Sequence, residues 1–175
     1  MTEESLQEKA FEYILKDEGG LTNDPDDDLG ITKYGVTKED LRELYGKATD
    51  ADIRNLSLEE AKEVFRRRYW NPLKCPELPP ALAYLMMDAG LLHGVYRASV
   101  WLQKAVGVAK DGQVGPKTVA AANAANVEDV INSITSSRMD RARNHPDYWK
   151  FGRGWINRIT RVKTRALKLL TAKSL

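Results

Sequence analysis

Helix-start and helix-stop signals recur along almost the whole chain, and a single Gly-, Pro- and Asp-rich stretch breaks their succession. Ser5-Leu6-Gln7-Glu8 and Ser57-Leu58-Glu59-Glu60 have the spacing of capping boxes, in which Ser accepts an orphan backbone N–H and Glu reaches back to the cap. After the first, Leu6, Ala10, Phe11, Ile14 and Leu15 recur at helical spacing until Gly19-Gly20 stops the helix. After the second, Ala61, Val64, Phe65 and Tyr69 do the same up to Asn71-Pro72. Thr37 caps a helix predicted over 38–45, and Asp50 opens a short one. Further helices are predicted over 80–92, 98–106, 116–125, 127–143 and 154–171. Residues 20–36 differ: turn residues and four Asp alternate with Leu21, Ile31, Tyr34 and Val36, the pattern of a small hairpin. The expected fold is therefore mainly α with a small β-hairpin excursion near residues 20–36. Lys74–Pro80 is the one plausible linker. It divides the chain into 1–78 and 79–175, expected to pack together as one compact unit.

Composition narrows the class. Apolar residues make up 42% and charged residues 30%, ordinary globular proportions. No apolar run approaches the roughly 20 residues that span a bilayer, and the acidic, polar start reads neither as a secretory signal nor as an anchor. A single cysteine, Cys75, forms no internal disulfide, and two histidines make no standard zinc cluster. The net charge of +2 conceals an asymmetry: 138–175 carries eleven Lys/Arg against Asp140 and Asp147, a local +9 that leaves −7 for 1–137. The basic end points to an anionic partner, with nucleic acid, anionic lipid and cell-wall glycan open on charge alone. In its last helix Trp155, Ile159, Val162, Ala166 and Leu169 share one face, with most of the basic residues elsewhere.

The stretch from Lys16 to Thr37 carries the chemistry. Glu18 falls in the last turn of the first helix, where the negative end of the macrodipole disfavours a carboxylate and raises its pKa. A glycosidase general acid needs that property, because it holds a proton near neutral pH and delivers it to the leaving oxygen. Nine positions on, Asp27 lies on an excursion able to fold back towards Glu18. In glycoside hydrolysis the second carboxylate acts as nucleophile or activates a water, and the separation of the pair, about 5 Å or about 6.5–9.5 Å, sets retention or inversion. A calcium loop is the competing reading, with Asp24, Asp26 and Asp28 at the first, third and fifth ligand positions. It fails at Leu29, where Gly is required, and at Gly35, where a bidentate Glu is required. Asp26 and Asp28 otherwise read as a solvated acidic loop, and the roles of Asp26 and Asp27 stay interchangeable.

Glu18-Gly19-Gly20, Asn23-Asp24-Pro25-x-Asp27 and Gly30-x-Thr32-x-Tyr34-Gly35-Val36-Thr37 together closely resemble the motif of glycoside hydrolase family 108. These are lysozyme-like N-acetylmuramidases found as phage endolysins and as bacterial proteins once described as secretion activators. The resemblance implies a lysozyme-like multi-helical fold with Glu18 as catalytic acid. It also places Asp27 and Thr32 where the family carries an Asp and a Thr in the active-site region, and Tyr34 among the substrate contacts. The Glu-to-Asp spacing of nine is also similar to that of the phage-type lysozymes, whose Asp and Thr manage a water on the far face of the sugar, and this likeness implies the same roles for Asp27 and Thr32. Leu29 and Lys33 depart from the family pattern, which bears on the loop and on the contacts near Tyr34. In the second half, Asp111-Gly112-Gln113-Val114-Gly115-Pro116-Lys117-Thr118 resembles the signature of peptidoglycan-binding modules. Leu102–Gly107 ahead of it and Phe151-Gly152-x-Gly154-Trp155-x-Asn157-Arg158 behind it complete a likeness to the C-terminal module paired with family 108. Asp88 and Gln103 are candidate substrate contacts facing a groove. Trp149, Phe151 and Trp155 are candidates for sugar stacking, with Trp155 assigned to the core, and His93 is read as a structural histidine.

The expectation is a peptidoglycan hydrolase, an endolysin cleaving the β-1,4 bond between N-acetylmuramic acid and N-acetylglucosamine and so lysing bacteria. It needs no metal and no organic cofactor. Its partner is peptidoglycan, with an anionic outer-membrane surface as a further candidate for the basic last helix. No nucleic-acid motif is present, and a monomer is expected. The alternative is a non-catalytic wall-binding or secretion-accessory protein with the same fold. Without an export signal, the enzyme is expected in a host cytoplasm until holin-dependent release to the periplasm and wall.

Overall fold

The computed structural model describes residues 2–18, 21–22 and 31–172. Within these the fold is mainly α with one two-stranded hairpin, and it divides into two compact units, Met1–Asn71 and Pro72–Leu175.

The first unit holds α1 (Glu3–Glu18), the strands β1 (Leu21–Thr22) and β2 (Thr32–Lys33), α2 (Lys38–Tyr45), α3 (Asp50–Asn55), α4 (Leu58–Phe65) and a π-helical turn (Arg66–Trp70). The cap of α1 differs from the sequence expectation. Ser5 N–H donates to Thr2 Oγ1 at 3.2 Å, so the cap falls on Thr2 and the helix begins three residues early. Glu8 is instead drawn to Lys62 Nζ at 2.8 Å, an ion pair across 54 residues that the local pattern does not reveal. The other caps are local and form as read: Ser57 with Glu60, and Thr37 with Asp40, are complete capping boxes. Thr49 with Asp52 is a third, one residue ahead of the expected cap at Asp50. Phe11 of α1 lies against Phe65 and Trp70, each with ring centroids 6.3 Å away, and with Ile14 and Val64 forms this unit's core.

The second unit contains a 3-10 turn (Cys75–Glu77), then α5 (Pro80–His93), α6 (Val95–Ala105), α7 (Pro116–Ala124), α8 (Val127–Arg143) and α9 (Tyr148–Ala172). Helix α5 is buried from Ala81 to Gly90 and is the central rod, with α6, α8 and α9 packed on it. Helix α9 starts six residues before the predicted boundary because Gly152 and Gly154 do not break it. At Gly152 a Cβ would collide with the ring of Tyr148, so glycine lets that ring lie flat on the helix. Ile159, Val162, Ala166 and Leu169 of α9 are buried, and the helix packs on α5 and α8. No helix among the described residues is long and apolar enough to cross a membrane.

Candidate active site

The first helix sets the position of Glu18. Phe11 and Ile14 are buried on one stripe of α1, and Glu18 follows them by seven and four positions, so its backbone continues that stripe at the last residue of the helix. Its carboxyl group, like all of Asp27, lies outside the described part of the structure. Strand β1 begins three residues after Glu18 and pairs antiparallel with β2, Leu21 opposite Lys33 and Thr22 opposite Thr32. Thr22, opposite Thr32, is four residues from Glu18, a length of chain that reaches at most about 14 Å, so the pairing brings Thr32 back towards the end of α1 even though fourteen positions separate it from Glu18. Thr32 is half-buried.

A two-residue turn closes the segment beyond β2. Lys33 and Val36 exchange both backbone hydrogen bonds, at 3.2 and 2.9 Å, and the residues between them, Tyr34 and Gly35, have φ of 55° and 79°. Two successive left-handed residues are the mark of a type I′ turn, whose twist matches that of the strands it joins. Glycine meets this requirement freely. Tyrosine does not, and costs on the order of 1 kcal/mol or more there. Tyr34 is half-buried, with Lys33 Nζ 5.5 Å from its ring centre. The strained conformation thus falls on the aromatic residue expected to contact substrate.

Side chains clamp this turn to the rest of the unit. Lys33 Nζ donates to the carbonyl of Arg54 at 2.8 Å, tying β2 to α3. The buried Asp40 accepts from Thr37 N–H at 2.9 Å, Thr37 Oγ1 at 2.8 Å and Tyr69 O–H at 2.9 Å, and its Oδ1 lies 3.2 Å from Arg68 Nε. Burial, then the adjacent Asp40 carboxylate, pushes the Tyr69 phenol well above its usual value, so it acts as a fixed hydrogen-bond donor. The sequence pattern marks Tyr69 only as an apolar position at helical spacing, and it marks neither Asp40 as its buried partner nor the π-turn. The Thr37–Asp40 capping spacing is the one local sign of them.

Asp88 and Gln103 are placed differently from expectation. Asp88 is 1% exposed, and Arg138 and Arg158 take up its oxygens: Arg138 Nη2 binds Oδ2, while Arg158 Nε and Nη2 bind Oδ1 at 3.2 and 2.9 Å. Burial alone would raise this carboxyl, but the charges of Arg138 and Arg158 outweigh it and hold it below the usual carboxylate value. Gln103 is 1% exposed and reads the Asp111–Gln113 turn. Its Nε2 donates to Asp111 Oδ1 at 2.6 Å and to the Gln113 carbonyl at 2.9 Å, and its Oε1 accepts from Gly112 N–H at 3.0 Å. Gly112 has φ of 77°, and Tyr96 covers the space a Cβ would take. Neither residue faces a groove. Both hold the second unit together, because their polar groups found partners inside it.

Of the three aromatics considered for stacking, Trp149 is 82% exposed and Phe151 46%. Trp155, expected in the core, is half-buried and lines a pocket of the second unit with His93 and His145. Among the described residues no three His, Cys, Asp or Glu side chains converge to hold a metal ion.

Comparison with known proteins decides the family. The model of Glycosyl hydrolase 108 matches residues 11–94, which include Glu18, Asp27, Thr32 and Tyr34. The solved structure of Brucella abortus SagA shares 32% sequence identity, covers 95% of this chain and 96% of its own, and superposes with a TM-score of 0.89. The chain belongs to glycosyl hydrolase family 108. Residues 97–160 match the Predicted Peptidoglycan domain, so the chain is a glycosidase joined to a peptidoglycan domain, the combination of a peptidoglycan hydrolase. No curated protein matches the sequence.

Proposed function

We propose that the chain is an N-acetylmuramidase that hydrolyses the β-1,4 bond between N-acetylmuramic acid and N-acetylglucosamine and serves as a lytic endolysin. The observation that carries this reading is the placement of Glu18 as the last residue of α1 within the family 108 match, with the β1–β2 pairing returning Thr32 towards it. Glu18 is the general acid that protonates the glycosidic oxygen. Asp27 and Thr32 serve the opposite side of the sugar, supporting the attacking water or the cation-like transition state. Tyr34, held on its strained turn, contacts the sugar chain.

The enzyme works as a monomer and reaches the wall after holin-dependent release from the host cytoplasm. Its basic C-terminal region attracts anionic wall polymers. Contact with an anionic outer membrane is a weaker expectation, because the apolar face of α9 is already packed on α5 and α8.

The test is hydrolysis of purified peptidoglycan with identification of the new reducing ends. Muramic acid reducing ends are expected; glucosamine ends would show that the bond is wrongly assigned. Glu18→Gln is expected to lower the rate by about 10²–10⁴-fold, the range for loss of a general acid, with an unchanged melting temperature. Retention of full activity would remove Glu18 from its role.

A further inference from the structure

The motif Phe151-Gly152-x-Gly154-Trp155-x-Asn157-Arg158 runs through the first half of α9, and packing inside the second unit accounts for only part of it. Gly152 makes room for the Tyr148 ring, Trp155 lies against His145 with ring centroids 4.9 Å apart, and Arg158 binds the buried Asp88. Phe151, Gly154 and Asn157 are instead exposed. They stand three residues apart and form one row along the helix surface. A second row, Trp149, Arg153 and Asn157 at spacings of four, meets the first at Asn157.

Gly154 is the sharpest sign that this surface meets something outside the chain. It is exposed inside a continuous helix, where glycine is the poorest former after proline, and a Cβ there would meet no atom within 4 Å. Neither a turn nor a close internal contact calls for it. Its missing side chain leaves a bare strip of backbone between the Phe151 ring and the Asn157 amide. On the other flank Trp149, 82% exposed, lines a shallow groove of about 440 Å³ with Tyr148, Arg153, Ile156 and Asn157. That volume lies within the roughly 300–1,000 Å³ of ligand sites.

Exposed aromatic rings on either side of a bare strip, with an amide where the two rows meet, fit a flat ring bearing both C–H faces and hydrogen-bonding groups. A pyranose is such a ring. Its C–H face packs on the electron-rich face of an aromatic side chain, and its acetamido and hydroxyl groups exchange hydrogen bonds with an amide. Charge agrees with a sugar strand that carries acidic peptides. No carboxylate lines the groove, and neither Lys150 nor Arg153 forms an ion pair among the described residues. Lys150 Nζ rests 4.8 Å from the centre of the Phe151 ring, so a positive charge borders each aromatic. All of these residues fall within the stretch matched by the Predicted Peptidoglycan domain. We propose that this face of α9 is a docking surface for the glycan strand of peptidoglycan, with a sugar ring on Trp149, the strand crossing the gap at Gly154, and Asn157 hydrogen-bonded to an acetamido group. The inference rests on the reading of the chain as a peptidoglycan hydrolase, and it assigns wall binding to the second unit.

The test uses the full chain and soluble disaccharide–peptides from exhaustively digested cell walls, followed by NMR at the Trp149 indole N–H, assigned by comparison with Trp149→Phe. Saturable shifts are expected with these fragments, and weaker ones with chitooligosaccharide, which has sugars but no stem carboxylates. Gly154→Gln fills the bare strip with a better helix former. It should keep or raise the melting temperature while weakening fragment binding at Trp149 roughly tenfold. Wild-type affinity in that variant, or a lowered melting temperature, would overturn the role of Gly154 and with it the surface. A response to free stem peptide or to anionic lipid vesicles, with none to chitooligosaccharide, would overturn the glycan assignment. No shift at Trp149 in a chain that still solubilises cell walls would overturn the surface and leave the hydrolase reading intact. Fragment binding at Trp149 by a chain that cleaves no wall would sustain the surface and sink the hydrolase reading.

Discussion

Replacing Asp88 by asparagine leaves the guanidinium groups of Arg138 and Arg158 facing a neutral amide inside the second unit. The two are not equally exposed to the loss. The Arg158 side chain is 16% accessible and can turn towards solvent, whereas Arg138 is 0% accessible, and its Nε and Nη1 already lack partners among the described residues. Most of the penalty therefore falls on Arg138, as an uncompensated buried charge that typically costs about 3–5 kcal/mol. The unit spans Pro72–Leu175, 104 residues. At about 2.1 cal/mol/K per residue, its unfolding entropy is roughly 0.2 kcal/mol/K, and the expected fall in melting temperature is about 15–25 °C. Thermal and urea unfolding followed by circular dichroism measure it.

The same arrangement predicts an asymmetry. Arg138→Met leaves Asp88 Oδ1 paired with Arg158 and removes two unpaired nitrogens, but takes the donor from Asp88 Oδ2, so it should cost about 1–3 kcal/mol, less than Asp88→Asn. Acid provides a third check. With its folded value held below the usual 3.8, Asp88 contributes stability that is complete above that value and is lost as pH falls through the lower folded one. The asparagine variant should lack this part of the acid limb. A cost below about 1 kcal/mol for Asp88→Asn, or an equal cost for Arg138→Met, would refute the account of a buried carboxylate shared by two arginines.

Other consequences can be checked separately. Ser57→Ala should cost about 1 kcal/mol by chemical denaturation, whereas Ser5→Ala should be close to neutral because Thr2 caps α1. Gly35→Ala forces a Cβ into φ of 79° and should cost about 1–2 kcal/mol while lowering wall hydrolysis; Tyr34→Asn should preserve the turn. His93 titrates near 6.5 when unfolded and at about 3 when folded. Between these values the unfolded chain binds the extra proton, so stability declines as pH falls from about 6.5 towards 3. His93→Gln should flatten that slope in a stability–pH series.

Features carried by neighbours in the chain were legible in the sequence. The caps at Thr37 and Ser57, the stops of α1 and α8 and the excursion between β1 and β2 all depend on residues within one turn or one short loop. Glu18 belongs with them, since its place at a helix end follows from the apolar stripe before it and the glycines after it. The early start of α9 was not legible, because glycine's low helix propensity gives way to the packing of Tyr148 on Gly152.

What tertiary structure alone decided involves groups far apart in the chain. Asp88 and Gln103, read as groove residues, are internal, the first bound to arginines 50 and 70 positions away. Arg138 and Arg158 count towards the basic end in any reading of the sequence, yet the fold spends both charges on one buried carboxylate. Glu8, spaced to cap its own helix, joins Lys62 instead. A charged side chain in a sequence announces its sign but not its solvent. Desolvation and the opposite charges brought beside it set whether it meets a ligand or a neighbour, and the packing of helices decides both.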